Sequence, residues 1–322
     1  MTLFDGIYPF YPQSRKPFVF DVDLIIVIIV FLVIAFSFLL ILPGIRGRAR
    51  LYWLVRVISS LFIGGVIVAV HFTSDWETGK VTANASYKSF SSAMVHADIG
   101  LHVGLMGVNV TLVGKPVDQL NETINYNEQF LWWFGADYDK EFEEGLQKGL
   151  PSPILYVAEK FTEHSPCGLN SVYRVAGHYA SATLWVAFCA WLVSNMLFSM
   201  PVPVYGGYMI LVTGAFLIFA LLSFSTGRNT WCIIQFGLAT LNLAYGVSFW
   251  LTLATGLFCF LIGTVVIVLH FTQPNILKAF FDLAEDEEDD EGMLGEVYIN
   301  PYFHQTQTVS SQPNFKLTIK NT

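Results

Sequence analysis

The sequence predicts a multi-pass α-helical membrane protein with five transmembrane helices, N-terminus outside and C-terminus inside. A small domain of strands and helices occupies its first outer loop. Three observations predict this. Hydrophobic residues make up 54% of the 322-residue chain and charged ones only 13%, with a mean hydropathy of +0.53, whereas soluble domains carry about 25% charge. The apolar residues gather in five runs, each near the length that crosses a hydrocarbon core of about 30 Å. A long polar insert, residues 73–178, separates the second run from the third and suffices for a small folded domain.

The first run, residues 24–42, reads "LIIVIIVFLVIAFSFLLIL" without a charge, and Pro43-Gly44 ends it. As a helix it is about 29 Å long at ~1.5 Å per residue. The second, residues 51–72, contains Arg56 near its start, where a long side chain reaches back to the interface. The third covers 180–200 and stops at Pro201 and Pro203; the fourth covers 208–226; the fifth covers 247–271, with Pro274 beyond. Residues 231–246, "WCIIQFGLATLNLAYG", are apolar enough to be considered as a sixth. They would run into the fifth without a turn, and helix connections need about 2–8 residues. They are assigned to a second outer loop, residues 227–246.

Charge sets the orientation. The loop 43–50, "PGIRGRAR", carries Arg46, Arg48 and Arg50 and no acid, whereas Arg15 and Lys16 in residues 1–23 are offset by Asp5, Asp21 and Asp23. Short Arg-rich loops stay cytoplasmic. Residues 1–23 are therefore outside, and the loop 201–207 and the tail 272–322 inside. The lead-in is too long and polar for a cleavable signal peptide. Three N-x-[ST] sites, at Asn84, Asn109 and Asn121, agree with this assignment. All three fall in the first outer loop, although that loop holds only six of the thirteen asparagines.

Within the insert, Ala97, Ile99, Leu101, Val103 and Leu105 alternate with polar or small residues, as do Val108, Val110 and Leu112. Period two predicts a half-buried hairpin turning at Met106-Gly107, with Asn109 on the unpacked face and Gly114-Lys-Pro116 closing the second strand. From Gln119 to Lys160 the pattern reads as short helices broken at Gly135, Gly149 and Pro151–Pro153. Trp132, Trp133, Phe134 and Tyr138 form an aromatic cluster there: the core of the small domain, or in part a protein-binding patch, since Trp and Tyr are favoured anchors. Cys167 and Cys232 both face an oxidising compartment. A disulfide between them is expected, with a bridge to a partner chain or two free thiols as alternatives. Cys189 and Cys259 fall inside spans and read as buried thiols.

Several chemistries are excluded. A net charge of −8 gives no nucleic-acid footprint. The histidines lack metal-site spacing, and no nucleophile or phosphate-loop motif occurs. No span has a central histidine to hold a haem. Apart from Arg56 the spans carry no charge, unlike most transporters. Asn195 and Asn242 read as interhelical hydrogen-bonding groups. Gly64-Gly65, Gly206-Gly207, Gly256 and Gly263 permit close helix approach. The tail "DLAEDEEDDEG" holds eight acids and reads as solvated and disordered.

Long segments of the chain resemble one family. "LILPGIRGRAR", "SLFIGGVIVAVHF", "GVNVTLVGKPVDQLNETINYNEQF", "GLPSPILYVAEKFT" and "AGHYASATLWVAFCAWLVSN" are similar to the dual oxidase maturation factors, over about residues 9 to 280. "MPVPVYGGYM" and "LKAFF" lean toward the first of the two paralogues. The resemblance implies five spans and a claudin-like, β-rich outer domain. It implies a non-enzymatic partner of a dual oxidase, with haem, FAD and NADPH on the partner and no cofactor here. Transport of that partner from the endoplasmic reticulum to the plasma membrane, and support of hydrogen peroxide production there, follow from the same resemblance. Asn84, Asn109 and Asn121 match glycan sites, and Cys167 and Cys232 match the outer-loop cysteines. A claudin-like adhesion protein is the competing reading; the extra first span argues against it, and nearly charge-free spans argue against a transporter.

Overall fold

The computed structural model describes residues 22–41, 49–88, 92–120, 122–133, 135–200, 203–227 and 233–274. The helices are α1 (Val22–Ile41), α2 (Ala49–Phe72), α3 (Tyr138–Gln147), α4 (Ser152–Glu159), α5 (Leu169–Leu197), α6 (Val204–Thr226) and α7 (Val247–Thr272). The strands are β1 (Glu77–Ser86), β2 (Met94–Val103), β3 (Gly107–Gln119), β4 (Glu122–Leu131), β5 (Ile234–Phe236), β6 (Ala239–Leu241) and β7 (Ala244–Tyr245). Among the described residues four helices, α2, α5, α6 and α7, are long and apolar enough to cross a membrane, and α1 adds a shorter apolar stretch, Leu24–Leu40. This is a multi-pass membrane protein with a β-containing domain. The acidic tail and the loop bearing Arg46 and Arg48 lie outside the described residues.

Close approach organises the membrane helices. Gly207 and Gly214 on α6 are two turns apart, as are Gly256 and Gly263 on α7, so each pair shares one helix face. A Cβ at Gly263 would lie 2.7 Å from Leu211 and 3.0 Å from the Gly207 carbonyl, and one at Gly214 would lie 3.1 Å from the Gly256 carbonyl. Backbones this close gain dispersion contacts that lipid cannot supply. Between α2 and α5 the seam is polar. The Trp191 indole donates to the Ser60 carbonyl at 3.1 Å, the Ser60 hydroxyl donates to the Asn195 carboxamide oxygen, and the Asn195 amide donates to the Trp191 carbonyl at 2.8 Å. The interhelical role read for Asn195 is the one it plays. Residues 231–246 form no sixth helix: where described they hold the β5–β6 hairpin and β7.

The five-stranded sheet runs β4-β3-β2-β1-β7, with the strand partners antiparallel throughout. The alternation in β2 and β3 sets its packed face. Val103 pairs with Val108, Leu101 with Val110 and Ile99 with Leu112, and all six side chains are fully buried. Helices α3 and α4 cover that face through Tyr138, Ile154, Val157 and Ala158. Two expectations are corrected. Pro116 does not end β3: the register shifts between Val113 and Asp118 and pairing then resumes to Gln119, because a bulge tolerates a residue without an N–H. Residues 122–131 are strand β4 rather than helix. Only Ile124 and Phe130 of β4 are buried, so its sequence carries little apolar alternation and β3 supplies the pairing that makes it a strand.

Candidate partner interface

The five-stranded sheet is fastened to the helix ends. Trp76, fully buried between α2 and β1, donates its indole N–H to the Val70 carbonyl at 2.8 Å and packs its ring 5.1 Å from that of Phe224 on α6. From β1, Glu77 is also fully buried and accepts from the Tyr173 hydroxyl at 2.6 Å. Tyr173 stands on the first turns of α5, which begins at Leu169 and not at residue 180, so this helix extends beyond its apolar run to the β-containing domain. β7 then pairs with Glu77 and Thr78. The Gly246 N–H donates to the Trp76 carbonyl at 2.8 Å, and the Ser248 N–H to the Asp75 carbonyl at 3.2 Å. Four chain segments distant in sequence thus close one junction.

At its edge His102 bonds the Asp75 carboxylate at 2.7 Å. That hydrogen bond holds the Asp75 carboxyl below its ordinary value of 3.8. A depressed carboxylate contributes stability above the unfolded value, and the contribution is lost as pH falls through the folded one. Because Asp75 is about half exposed, with 48% of its side chain accessible, the effect is a fraction of a kcal/mol. We therefore expect the small melting-temperature advantage of the wild type over Asp75→Asn at neutral pH to shrink as the pH is taken below 3.8 and then be lost, measured by thermal scans into the acid range.

The aromatic cluster divides. Trp132 is 1% exposed, donates its indole N–H to the Leu105 carbonyl at 3.0 Å and stacks on Phe161 at 6.1 Å. Tyr138 is 3% exposed and donates its hydroxyl to the Ala158 carbonyl at 2.9 Å; burial, and secondarily nearby Asp139, push that phenol well up. Both belong to the core, the first of the two readings the sequence allowed for the cluster: the turn after β4 folds their rings under α4. Trp133 is half-buried, 5.8 Å from the rings of both His71 and His178. Phe134 lies outside the described residues.

The sequons also differ. Asn84 is exposed on β1 and accepts from His96 at 2.6 Å through its oxygen. Asn109 does alternate away from the packed face, but it sits on an inner strand between His102 and Gln129. Its carboxamide oxygen is buried without a hydrogen-bond partner among the described residues. Asn121 and Cys232 lie outside them. Cys167 is half-buried and disulfide-bonded, while Cys189 and Cys259 are free thiols. Arg50 is exposed at the start of α2.

Exposed apolar residues on the β5–β6 hairpin were not anticipated. Leu238, at the tip of the β5–β6 hairpin, is fully exposed, and Ile233 at its base is 63% exposed. The hairpin leans on α4 through Tyr156 and Phe236, 5.3 Å apart. The signal available in sequence was "FGL", a glycine turn followed by an unpartnered leucine; the positive φ of Gly237, 62°, is what places Leu238 at the apex. No cluster of three metal-ligating side chains occurs among the described residues.

The profile of the family described as "Dual oxidase maturation factor" matches residues 10–285. The chain is 56% identical to dual oxidase maturation factor 2 of Mus musculus over 285 residues, 88% of this chain and 89% of that one. It is 54% identical to dual oxidase maturation factor 1 of Homo sapiens over 290 residues, 89% of this chain and 84% of that one. A Caenorhabditis elegans relative, also named maturation factor 1, is 29% identical over 291 residues, covering 86% of this chain and 72% of its own. Both paralogues match to a similar degree. The match spans the apolar helices and the β-containing domain alike, and the chain belongs to the dual oxidase maturation factor family.

Proposed function

We propose that this chain is a non-catalytic membrane partner of a dual oxidase. It is needed for that enzyme's maturation, its exit from the endoplasmic reticulum, its delivery to the plasma membrane and its production of hydrogen peroxide as a stable heteromeric complex. The family match over residues 10–285 carries this reading. The oxidase holds the haem, FAD and NADPH; this chain holds none. It crosses the membrane five times, with residues 1–23 outside and the tail inside. The outer domain bears glycans at Asn84, Asn109 and Asn121, and a Cys167–Cys232 disulfide ties the two outer loops. Supporting the pairing, Cys167 is disulfide-bonded while Cys189 and Cys259 are free.

The junction geometry supports a two-surface mechanism. The outer domain docks on the oxidase's extracellular part while the spans pack on its membrane helices. Because Trp76, Glu77 and Tyr173 lock sheet to helices, engagement of one surface presents the other at an effective concentration of roughly mM. Leu238 and Trp133 are the accessible anchors on the outer side. Co-expression with a dual oxidase is expected to raise peroxide output and to yield co-purification. Leu238→Asp is expected to cut co-purification by about tenfold, since a desolvated interface leucine replaced by a charge costs at least 1–2 kcal/mol. Absence of any gain with the wild-type chain overturns the reading.

A further inference from the structure

The five-stranded sheet ends at β4, which pairs with β3 on one side and with no strand among the described residues on the other. The phase of the ladder decides which main-chain groups face that free side. The Trp132 N–H donates to the Met106 carbonyl, continuing the register that pairs Phe130 with Val108, Glu128 with Val110 and Tyr126 with Leu112. Bonded and non-bonded pairs alternate in an antiparallel ladder, so these even-numbered residues turn their N–H and C=O to β3. On the far side of β3 the Gly104 N–H donates to the Gly107 carbonyl, the complementary phase. Asn125 and Gln129 therefore turn theirs to the open edge. Leu131 does the same, and there the Glu141 carboxylate on α3 already accepts the N–H at 2.6 Å. Exposed edges are ordinarily blunted by Lys, Pro or a bulge. From Asn125 to Leu131, β4 has neither Lys nor Pro, and the register shift begins only beyond the pair of Asn125 with Val113.

We propose that this edge takes up an extended, basic segment of the oxidase's extracellular part as a further strand, hydrogen-bonded to the main chain of Asn125 and Gln129. The inference rests on the partner reading above. The two positions are four residues apart, about 14 Å along a strand, so a segment of about five residues spans them. Main-chain bonds hold such a strand, and the side chains beside it select its sequence. Charge makes that selection here. Helix α3 packs on β4, with the Phe130 and Tyr138 rings 5.9 Å apart, and carries Asp139, Glu141, Glu143 and Glu144 against the single Lys140. Side chains of an added strand on the α3 side meet these carboxylates, which favours Lys and Arg. A second copy of this chain fits worse. Two β4 edges joined about a two-fold axis would set one acidic α3 beside the other.

The test is amide hydrogen exchange, resolved to single residues, on the full-length chain in nanodiscs, alone and co-purified with a dual oxidase. Alone, the Asn125 and Gln129 amides are expected to exchange about a hundredfold faster than those of Tyr126 and Glu128, which bond β3. In the complex the first two are expected to slow by about tenfold or more, and the second two to stay as they were. A recovered complex in which Asn125 and Gln129 still exchange fast overturns the inference and leaves the partner reading intact. Slow exchange of both in the chain alone also overturns it, since a second copy or another part of this chain then occupies the edge. Gln129→Pro supplies an independent arm. It removes an outward N–H that β3 does not use, a substitution edge strands tolerate. It is expected to lower oxidase recovery by about tenfold, as loss of a main-chain bond within the added strand implies, whereas Gln129→Ala recovers wild-type amounts. Wild-type recovery by folded Gln129→Pro overturns the inference; if that variant does not fold, the exchange of the wild type decides. A wild-type chain that recovers no oxidase at all overturns the partner reading and this inference with it.

Discussion

Trp132→Ala is expected to destabilise the outer domain by about 3–5 kcal/mol, the usual cost of emptying a large aromatic site. Trp132 is 1% exposed and its indole fills the space between Phe161 and Tyr138. Its removal also orphans the Leu105 carbonyl, which now accepts the indole N–H, a further penalty of about 1–3 kcal/mol if no water reaches it. Domains of this size have only about 5–15 kcal/mol in total. The variant should therefore be largely unfolded outside the membrane at 37 °C and cleaved rapidly by added protease, with the membrane helices still protected. Trp133→Ala is the control. Its ring is half-buried against His71 and His178, so stability should change by only about 1 kcal/mol, while co-purification with an oxidase should fall. Equal proteolysis of the two variants would remove the distinction between core and contact drawn here.

Gly246→Ala is expected to be nearly as damaging, although it adds one methyl group. Gly246 has φ −85° and ψ −176°, ordinary extended backbone that alanine adopts freely, so no conformational strain enters. The cost is steric. The new Cβ would overlap the Asp75 carbonyl oxygen, itself an acceptor for the Ser248 N–H. Neither side can yield cheaply, because the Gly246 N–H is bound to the Trp76 carbonyl and β7 is paired to β1. Overpacking of rigid backbone costs about 1–3 kcal/mol or more, and here it pushes α7 away from the sheet. Partner recovery should drop because the outer and membrane surfaces lose their fixed relation. Gly135→Ala provides the comparison: φ is +87° and nothing lies within 4 Å, so about 1 kcal/mol of backbone strain is expected and the junction is untouched. Thermal scans monitoring tryptophan fluorescence, together with co-purification, separate the two. If Gly246→Ala melts with the wild type, the junction does not couple the domain to the helices.

Legibility followed the range of the interaction that decides each element. The apolar runs were readable because a spanning helix satisfies its own backbone and needs only length and hydropathy. β2 and β3 were readable because one face of each is buried at every second residue. β4 was not, since its partner is β3 and only two of its side chains reach the core. β1 hid for the same reason: Glu77 is among its most buried residues, and a carboxylate gives no apolar signal.

By itself the sequence determined that this protein is built of membrane-length helices around a polar insert, and which family it resembles. Hydropathy, charge and long shared segments are properties of residues read in order. Only the tertiary structure decided which aromatic rings are core and which are accessible, which sequon stands open, and that Leu238 is exposed at a hairpin tip. Only it showed that β7, two residues long, joins α7 to the sheet. These depend on what packs across from each side chain, and the partner in each case comes from a distant part of the chain.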